Sequence, residues 1–276
     1  MNAPILVTGG TGTIGSRVVP LLAGEGRRIR VLSRHPERGD QPDAGNAGDA
    51  GVGDLVQHVG GDTVRDQGLA EAMAGVDVVL HLAGGAKGDD VAARNVVAAA
   101  RRAGVDRLVL ISVIGADRMP IGYFRTKAAA ERTLERSGLP FTVLRVAQLH
   151  DFVRPVVRAM ARLPLLPAPG GLRFEPVDRD EVAARLAALT LGAAASRVPD
   201  LAGPEVLDLP RLAALYAEAS GRRRHALLPV RLPGAVGRAY RAGDNLADES
   251  ADRGRRTWAQ SLSFWHGRGA GAAVTG

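Results

Sequence analysis

The sequence predicts a doubly wound α/β fold: a parallel sheet covered by helices on both faces, followed by a small, mostly helical cap. Three observations predict it. Apolar runs alternate with stretches of helical period from residue 4 to residue 146. Two of those runs, "VDVVLHLAGG" (76–85) and "DRLVLISVIG" (106–115), are almost wholly apolar, as strands buried on both faces must be. A cluster of glycines stands directly between the first apolar run and the first helical stretch.

The elements follow in order. Residues 4–8 (PILVT) read as a short buried strand. A helix near 13–24 carries Ile14, Val18, Leu21 and Leu22 at helical spacing. "RIRVLSR" (28–34) alternates polar and apolar residues and reads as the second strand. Residues 36–54 are rich in Gly, Asp and Pro and read as a loop without structure of its own. A third strand at 55–62 and a short helix at 66–74 precede the apolar fourth strand. An Ala-rich helix at 89–103 stops at Gly104, and a helix at 121–137 stops at Gly138 with Pro140 just beyond, as helix C-termini do. Strand five lies between these helices, and "FTVLRV" (141–146) is strand six.

After about residue 147 prolines break the chain up, and helices near 179–191 and 210–220 dominate. The expected organisation is therefore a dinucleotide-binding domain over 1–150, a substrate-binding part without a core of its own over 151–267, and a disordered tail over 268–276. In "GRRTWAQSLSFW", Trp258, Leu262 and Phe264 read as anchors for the C-terminal segment.

Composition excludes several classes. The chain has 276 residues and no cysteine, which rules out disulfides, thiolate nucleophiles and Cys-ligated metals and fits a reducing cytoplasm. The histidines show no metal-ligand spacing, so no metal is expected. The start "MNAPILVTGG" has neither the basic region nor the apolar run of a leader. No stretch reaches the roughly 18 apolar residues of a membrane helix. The net charge of +7 suggests nucleic acid, but the arginines are scattered and no helix-turn-helix or finger accompanies them. The expected partner is thus a small molecule, with no nucleic acid and no membrane, in a monomer or a homodimer.

The glycine cluster carries the first chemistry. "ILVTGGTGTIG" (5–15) holds G-x-G-x-x-G as Gly10, Gly12 and Gly15, with Gly9 before it. Between a strand and a helix, this pattern is a Rossmann dinucleotide fingerprint: bare backbone lets the pyrophosphate approach, and the helix start offers free N–H groups. Gly9, Gly10, Thr11, Gly12, Thr13, Ile14 and Gly15 form the expected phosphate loop. The second strand ends in Ser33, Arg34 and His35, with no acid until Glu37. A site for NAD usually puts an acid there, whereas arginine accommodates the 2′-phosphate of NADP, so NADP(H) is favoured and NAD(H) remains possible. Asp62 at the end of strand three could reach the adenine amino group. Ala83 and Gly84 at the end of strand four leave room for the cofactor.

"YFRTK" (123–127) carries the second. The chain has only two lysines and three tyrosines, yet Tyr123 and Lys127 stand four apart on one helix face. Tyrosine is a poor acid–base group at neutral pH, and a nearby cation lowers its pKa. The pair can hand a proton to a developing alkoxide, with Lys127 also holding the nicotinamide ribose and Ser112 the substrate oxygen. Gln148 and His150, after strand six, should face the substrate crevice. His81, inside strand four, reads as a buried, hydrogen-bonded residue.

"TGGTGTIG", "VDVVLHLAG", "LVLISVIGADRMPIGYFRTKAAAERTLERSGLPFTVLRVAQLHDF" and "LAGPEVLDL" resemble the atypical short-chain dehydrogenase/reductase proteins, in particular the NAD(P)H-binding, NmrA-like branch. The resemblance covers most of the chain, most tightly 4–152. It implies a Rossmann fold and a Ser/Tyr/Lys set on Ser112, Tyr123 and Lys127. An NADP(H)-dependent oxidoreductase reducing a carbonyl or quinone-like molecule is the expected function. The alternative is a non-catalytic dinucleotide sensor, which the NmrA-like branch also contains, often without the tyrosine.

Overall fold

The computed structural model describes residues 3–36, 53–85, 87–163, 165–222 and 226–271, with the backbone alone for 266–271. Most of the loop expected at 36–54, and the tail from 272, lie outside the described residues.

The elements run β1 (Ile5–Thr8), α1 (Gly15–Gly24), β2 (Ile29–Ser33), β3 (Val56–Gly60), α2 (Leu69–Met73), β4 (Val78–His81), α3 (Asp89–Ala103), β5 (Arg107–Val113), α4 (Gly122–Glu135) and β6 (Phe141–Val146). They continue α5 (His150–Met160), β7 (Leu165–Pro169), β8 (Arg173–Phe174), α6 (Arg179–Leu191), β9 (Ser196–Arg197), β10 (Leu201–Ala202), β11 (Leu207–Asp208), α7 (Leu209–Ala219), β12 (Ala226–Val230), α8 (Gly234–Ala242), β13 (Asp252–Arg253) and α9 (Trp258–Gly271).

Two compact units divide the chain and interleave along it. Unit 1 takes 1–112, 122–145 and 182–198, and unit 2 takes 113–121, 146–181 and 199–276.

In unit 1 the strands stand in the order β6-β5-β4-β1-β2-β3. This is the doubly wound order, with chain direction across the sheet reversing between β1 and β4. The pairs β1–β2, β1–β4, β2–β3 and β4–β5 are all parallel, with Thr8 beside His81 and Leu32. All four residues of β1 are buried, as are all four of β4, which explains their unbroken apolar sequence. The core on one face joins Leu6, Val79 and Leu108 to Leu69 and Met73 of α2, Val96 of α3 and Leu134 of α4. Helix α3 ends where its glycine predicts, with Gly104 in the left-handed region at φ 68°.

Unit 2 has a core of its own, contrary to the expectation from its broken sequence. Val157 of α5, Leu166 of β7, Leu212 of α7, and Trp258 and Leu262 of α9 close together, nearly free of solvent. Phe264, expected as an anchor, is instead exposed. The backbone of 267–271, expected within a disordered tail, continues α9. Short β10 pairs in parallel with β13 and, at Leu201, with Val146 at the end of β6. Strands β7 and β12 form a separate two-stranded parallel ribbon.

Candidate active site

The site in unit 1 begins where β1 ends. Gly9 turns the chain at φ 73°, and a Cβ there would stand 2.7 Å from the Ala83 nitrogen in the loop after β4. A Cβ on Gly10 would press 2.7 Å from Val31 Cγ1 of β2. A Cβ on Gly15 would overlap the Gly9 carbonyl oxygen and Gly10 Cα, so α1 could not begin so close to its own loop. Thr11 and Gly12 at the tip are exposed, and Thr13 and Ile14 half-buried. No side chain caps α1 at Ile14, and the Ser16 and Arg17 N–H groups donate to the Gly12 and Ile14 carbonyls at 2.9 Å. The packed glycine cradle fits a dinucleotide pyrophosphate.

The outer end is sparser. Ser33 is half-buried, and its Oγ accepts the His35 N–H at 3.2 Å; Arg34 is exposed directly after β2. One oxygen of Asp62, Oδ1, accepts the N–H groups of Val64 and Arg65 at 2.8 and 3.2 Å. That carboxylate therefore shapes its own turn, and Oδ2 lies 4.0 Å from Arg65 Nε.

The loop after β4 is tied at both ends. Thr8 Oγ1 lies 2.6 Å from His81 Nδ1 and accepts the Ala83 N–H at 3.3 Å, joining the ends of β1 and β4. His81 is buried, as expected, and its pKa is pushed down to about 3, by burial first and then by the charge of Lys127. Further on, Asp89 Oδ1 accepts the Gly85 N–H at 2.8 Å, and Asp89 Oδ2 pairs with Lys127 Nζ at 2.8 Å. Both side chains of the pair are buried. A Cβ on Gly84 would sit 2.9 Å from the Lys127 ammonium, so this glycine makes room for a cation as well as for a ligand.

Tyr123 stands half-buried one turn before Lys127, its ring edge-on to Phe124. Its pKa moves opposite to the expectation. It is pushed up to about 12, by burial first and then by the charge of Asp89. The Asp89 charge adds to the effect of burial, so the nearby lysine does not bring the tyrosine down. Ser112, near the end of β5, is buried, and its Oγ has no hydrogen-bond partner among the described residues. Such a group is costly to leave unpaired, which marks it for a ligand.

Asp89 is the residue that sequence reading missed. An acid in the first turn of a helix is ordinary, since it suits the helix dipole, and nothing local distinguishes Asp89 from Asp90.

Gln148 and His150 belong to unit 2. Gln148 is half-buried, and its Oε1 has no partner among the described residues. His150 does not sit in a loop facing a crevice. It is the first residue of α5 and has no exposed surface. Its Nδ1 lies 2.6 Å from Ser261 Oγ and 3.7 Å from Asp178 Oδ2, and its ring meets Trp258 and Trp265 edge-on. Asp178 also pairs with Arg256 at 3.0 Å. Burial works to raise the Asp178 pKa, but its contacts with His150, the Asp180 N–H and Arg256 outweigh that and bring it down to about 2.

A glycine cradle at the switch point of a doubly wound sheet defines a dinucleotide-binding protein. The NAD(P)H-binding family matches residues 9–190, more than half of the chain, and the chain belongs to that family. Its relatives include reductases. The (4-alkanoyl-5-oxo-2,5-dihydrofuran-3-yl)methyl phosphate reductase of Streptomyces griseus is 30% identical over 231 residues, which cover 79% of this chain and 74% of that protein. Quinone oxidoreductase 2 of Escherichia coli is 26% identical over 224 residues, covering 79% and 75%. The crystal structure of the Escherichia coli NADPH-dependent quinone oxidoreductase complexed with NADPH shares the fold, with a TM-score of 0.75, 21% identity, and coverage of 95% of this chain and 99% of that one.

Proposed function

We propose that this chain is an NADPH-dependent reductase of the atypical short-chain dehydrogenase/reductase type, NmrA-like branch, acting on a carbonyl or quinone-like small molecule. The observation that carries it is the buried Lys127, held at Gly84 beside the dinucleotide cradle, one helical turn after a half-buried tyrosine. The names of the relatives support reduction, and Arg34 after β2 without an acid supports NADPH over NADH.

NADPH, held at the glycine cradle, would supply the hydride for the substrate's carbonyl carbon. Tyr123 Oη donates its proton to the carbonyl oxygen, Ser112 Oγ donates a hydrogen bond to the same oxygen, and solvent reprotonates Tyr123. Lys127 Nζ holds the ribose. A tyrosine with its pKa near 12 is protonated at neutral pH.

One observation favours another reading, a dinucleotide sensor without turnover: Tyr123 is held above its ordinary pKa instead of being tuned down toward neutrality. Titration with NADPH and NADH, followed by a panel of ketones, quinones and azo dyes, separates the two. For the reductase, NADPH binds more tightly than NADH, Tyr123→Phe binds it equally well, and ketone turnover falls about 100-fold or more. Tight NADPH binding with no turnover of any acceptor, alike in both proteins, leaves the sensor.

A further inference from the structure

Unit 2 presents apolar side chains that the rest of the molecule buries. Of the eleven large hydrophobic residues exposed among the described residues, seven fall in 152–165 and 227–230, so the exposure is concentrated rather than scattered. The apolar face of helix α5 is broader than the core covers. Val153, Val157 and Met160 turn into the unit's core, while Phe152, 63% exposed, and Val156 point outward one turn apart, with exposed Leu163 just past the helix end.

The ribbon repeats the pattern two residues later in the chain. Its parallel register sets Leu165 beside Ala226, Pro167 beside Leu228 and Pro169 beside Val230, which puts these six on one face. Leu166, between them, faces the other way into the core at 2% exposure, while its partner Leu227 stays exposed, so β12 is open on both faces and β7 on the side of Leu165.

The charge around these stretches has one sign. Residues 152–174 contain four arginines and no acid, and residues 219–243 contain six arginines and no acid. Arg162 just past α5, and Arg222 and Arg231 flanking β12, are exposed and form no ion pair among the described residues.

We infer that this apolar, arginine-bordered face of unit 2 docks on the surface of an anionic lipid bilayer. Such a surface offers both halves of the match: headgroup charge for the arginines, and an apolar boundary for Phe152, Val156 and the ribbon face that carries Leu165 and Leu228. A second copy of the chain fits worse, since a symmetric contact through this face would bring two sets of arginines together. Nucleic acid would meet the arginines but leave the apolar side chains uncovered. No helix among the described residues is long and apolar enough to cross a membrane, and a peripheral contact needs none. The sequence reading, which expected no membrane partner, tested only for a spanning segment.

Flotation of the full chain with vesicles tests this, using phosphatidylcholine alone and phosphatidylcholine with about one-third phosphatidylglycerol at about 0.15 M salt. The chain is expected to float with the anionic vesicles only, less so as salt rises. Phe152→Ser combined with Leu228→Ser keeps the charge and should cut partitioning about tenfold or more. Leu21→Ser, at an exposed leucine of α1, should leave it unchanged. Unchanged thermal melting shows that the variants fold. Failure to float with either lipid overturns the inference. So does equal flotation of the serine pair, which reduces the effect to net charge. A drop in oligomer mass for the pair without vesicle binding assigns the face to a second copy. A higher KM for a water-soluble acceptor with unchanged flotation assigns it to substrate.

Discussion

Two buried polar clusters, one in each unit, use similar residues and end in opposite states. In unit 1, Asp89 pairs with Lys127 beside bare glycine backbone, Ser112 keeps an unpaired hydroxyl, and Tyr123 is half-open. In unit 2, Asp178 gathers His150 and Arg256, Ser261 engages His150, and two tryptophans close over the ring. An acid, a cation and a hydroxyl do not by themselves distinguish a site from a strut. What distinguishes them is the surrounding backbone: glycine strips it of side chains beside Asp89 and Lys127, whereas the unpaired His150 Nε2 is enclosed by aromatic rings. By that measure unit 1 has the features of a site and unit 2 those of a support.

The cradle is where this comparison breaks most easily. Gly15→Ala puts a methyl group into the Gly9 carbonyl and the Gly10 backbone, neither of which can swing aside as a side chain could. NADPH affinity is expected to fall more than 100-fold by fluorescence titration, with a stability loss of about 2 kcal/mol or more. A methyl group at Gly24, where nothing lies within 4 Å, is the control and should leave affinity unchanged. Equal affinity in Gly15→Ala would mean that the glycine loop is not the pyrophosphate site.

Asp89→Asn sharpens the comparison from the other side. It leaves Lys127 buried without its counter-charge, at a cost of about 3 kcal/mol. It also removes one of the two causes that hold Tyr123 near 12. The tyrosinate absorbance of the variant should therefore appear at lower pH than in the parent, with Tyr123→Phe identifying which of the three tyrosines moved. Asp89 acts here through Lys127 and Tyr123 as a positioning residue. An unchanged alkaline titration would show that its charge does not reach the tyrosine.

How much of this could be read in the sequence also differs between the units. Unit 1 was legible because glycines punctuate it and its strands are unbroken apolar runs: α3 begins and ends at the expected residues, and β6 spans the expected 141–146. The Tyr123/Lys127 spacing was legible for the same local reason. The direction of the Tyr123 shift was not, since it depends on an aspartate 34 positions away in the chain. In unit 2, Pro155 lies inside α5 and reads as a helix breaker. Prolines at 167, 169 and 229 argue against strands, and the ribbon tolerates them because it has only two strands. The fold of unit 2 comes from long-range packing onto Trp258, which the sequence marks as an anchor without showing which residues pack on it.

The smallest effect tests whether unit 2's cluster is support alone. Asp178 has its pKa lowered from 3.8 to about 2 in the folded chain. A lowered carboxylate contributes stability at pH values above its unfolded pKa and loses it as pH falls through the folded one. The window is therefore pH 4 down to 2, and the contribution at pH 7 is about 2 kcal/mol. Asp178→Asn should melt lower than the parent at pH 7, and the difference should shrink as the parent is acidified through that window. NADPH affinity at pH 7 should not move, because the carboxylate's partners all lie in unit 2. A melting difference that stays constant down to pH 2 would mean that Asp178 is held by shape rather than charge. A change in NADPH affinity would erase the distinction between site and support on which the comparison rests.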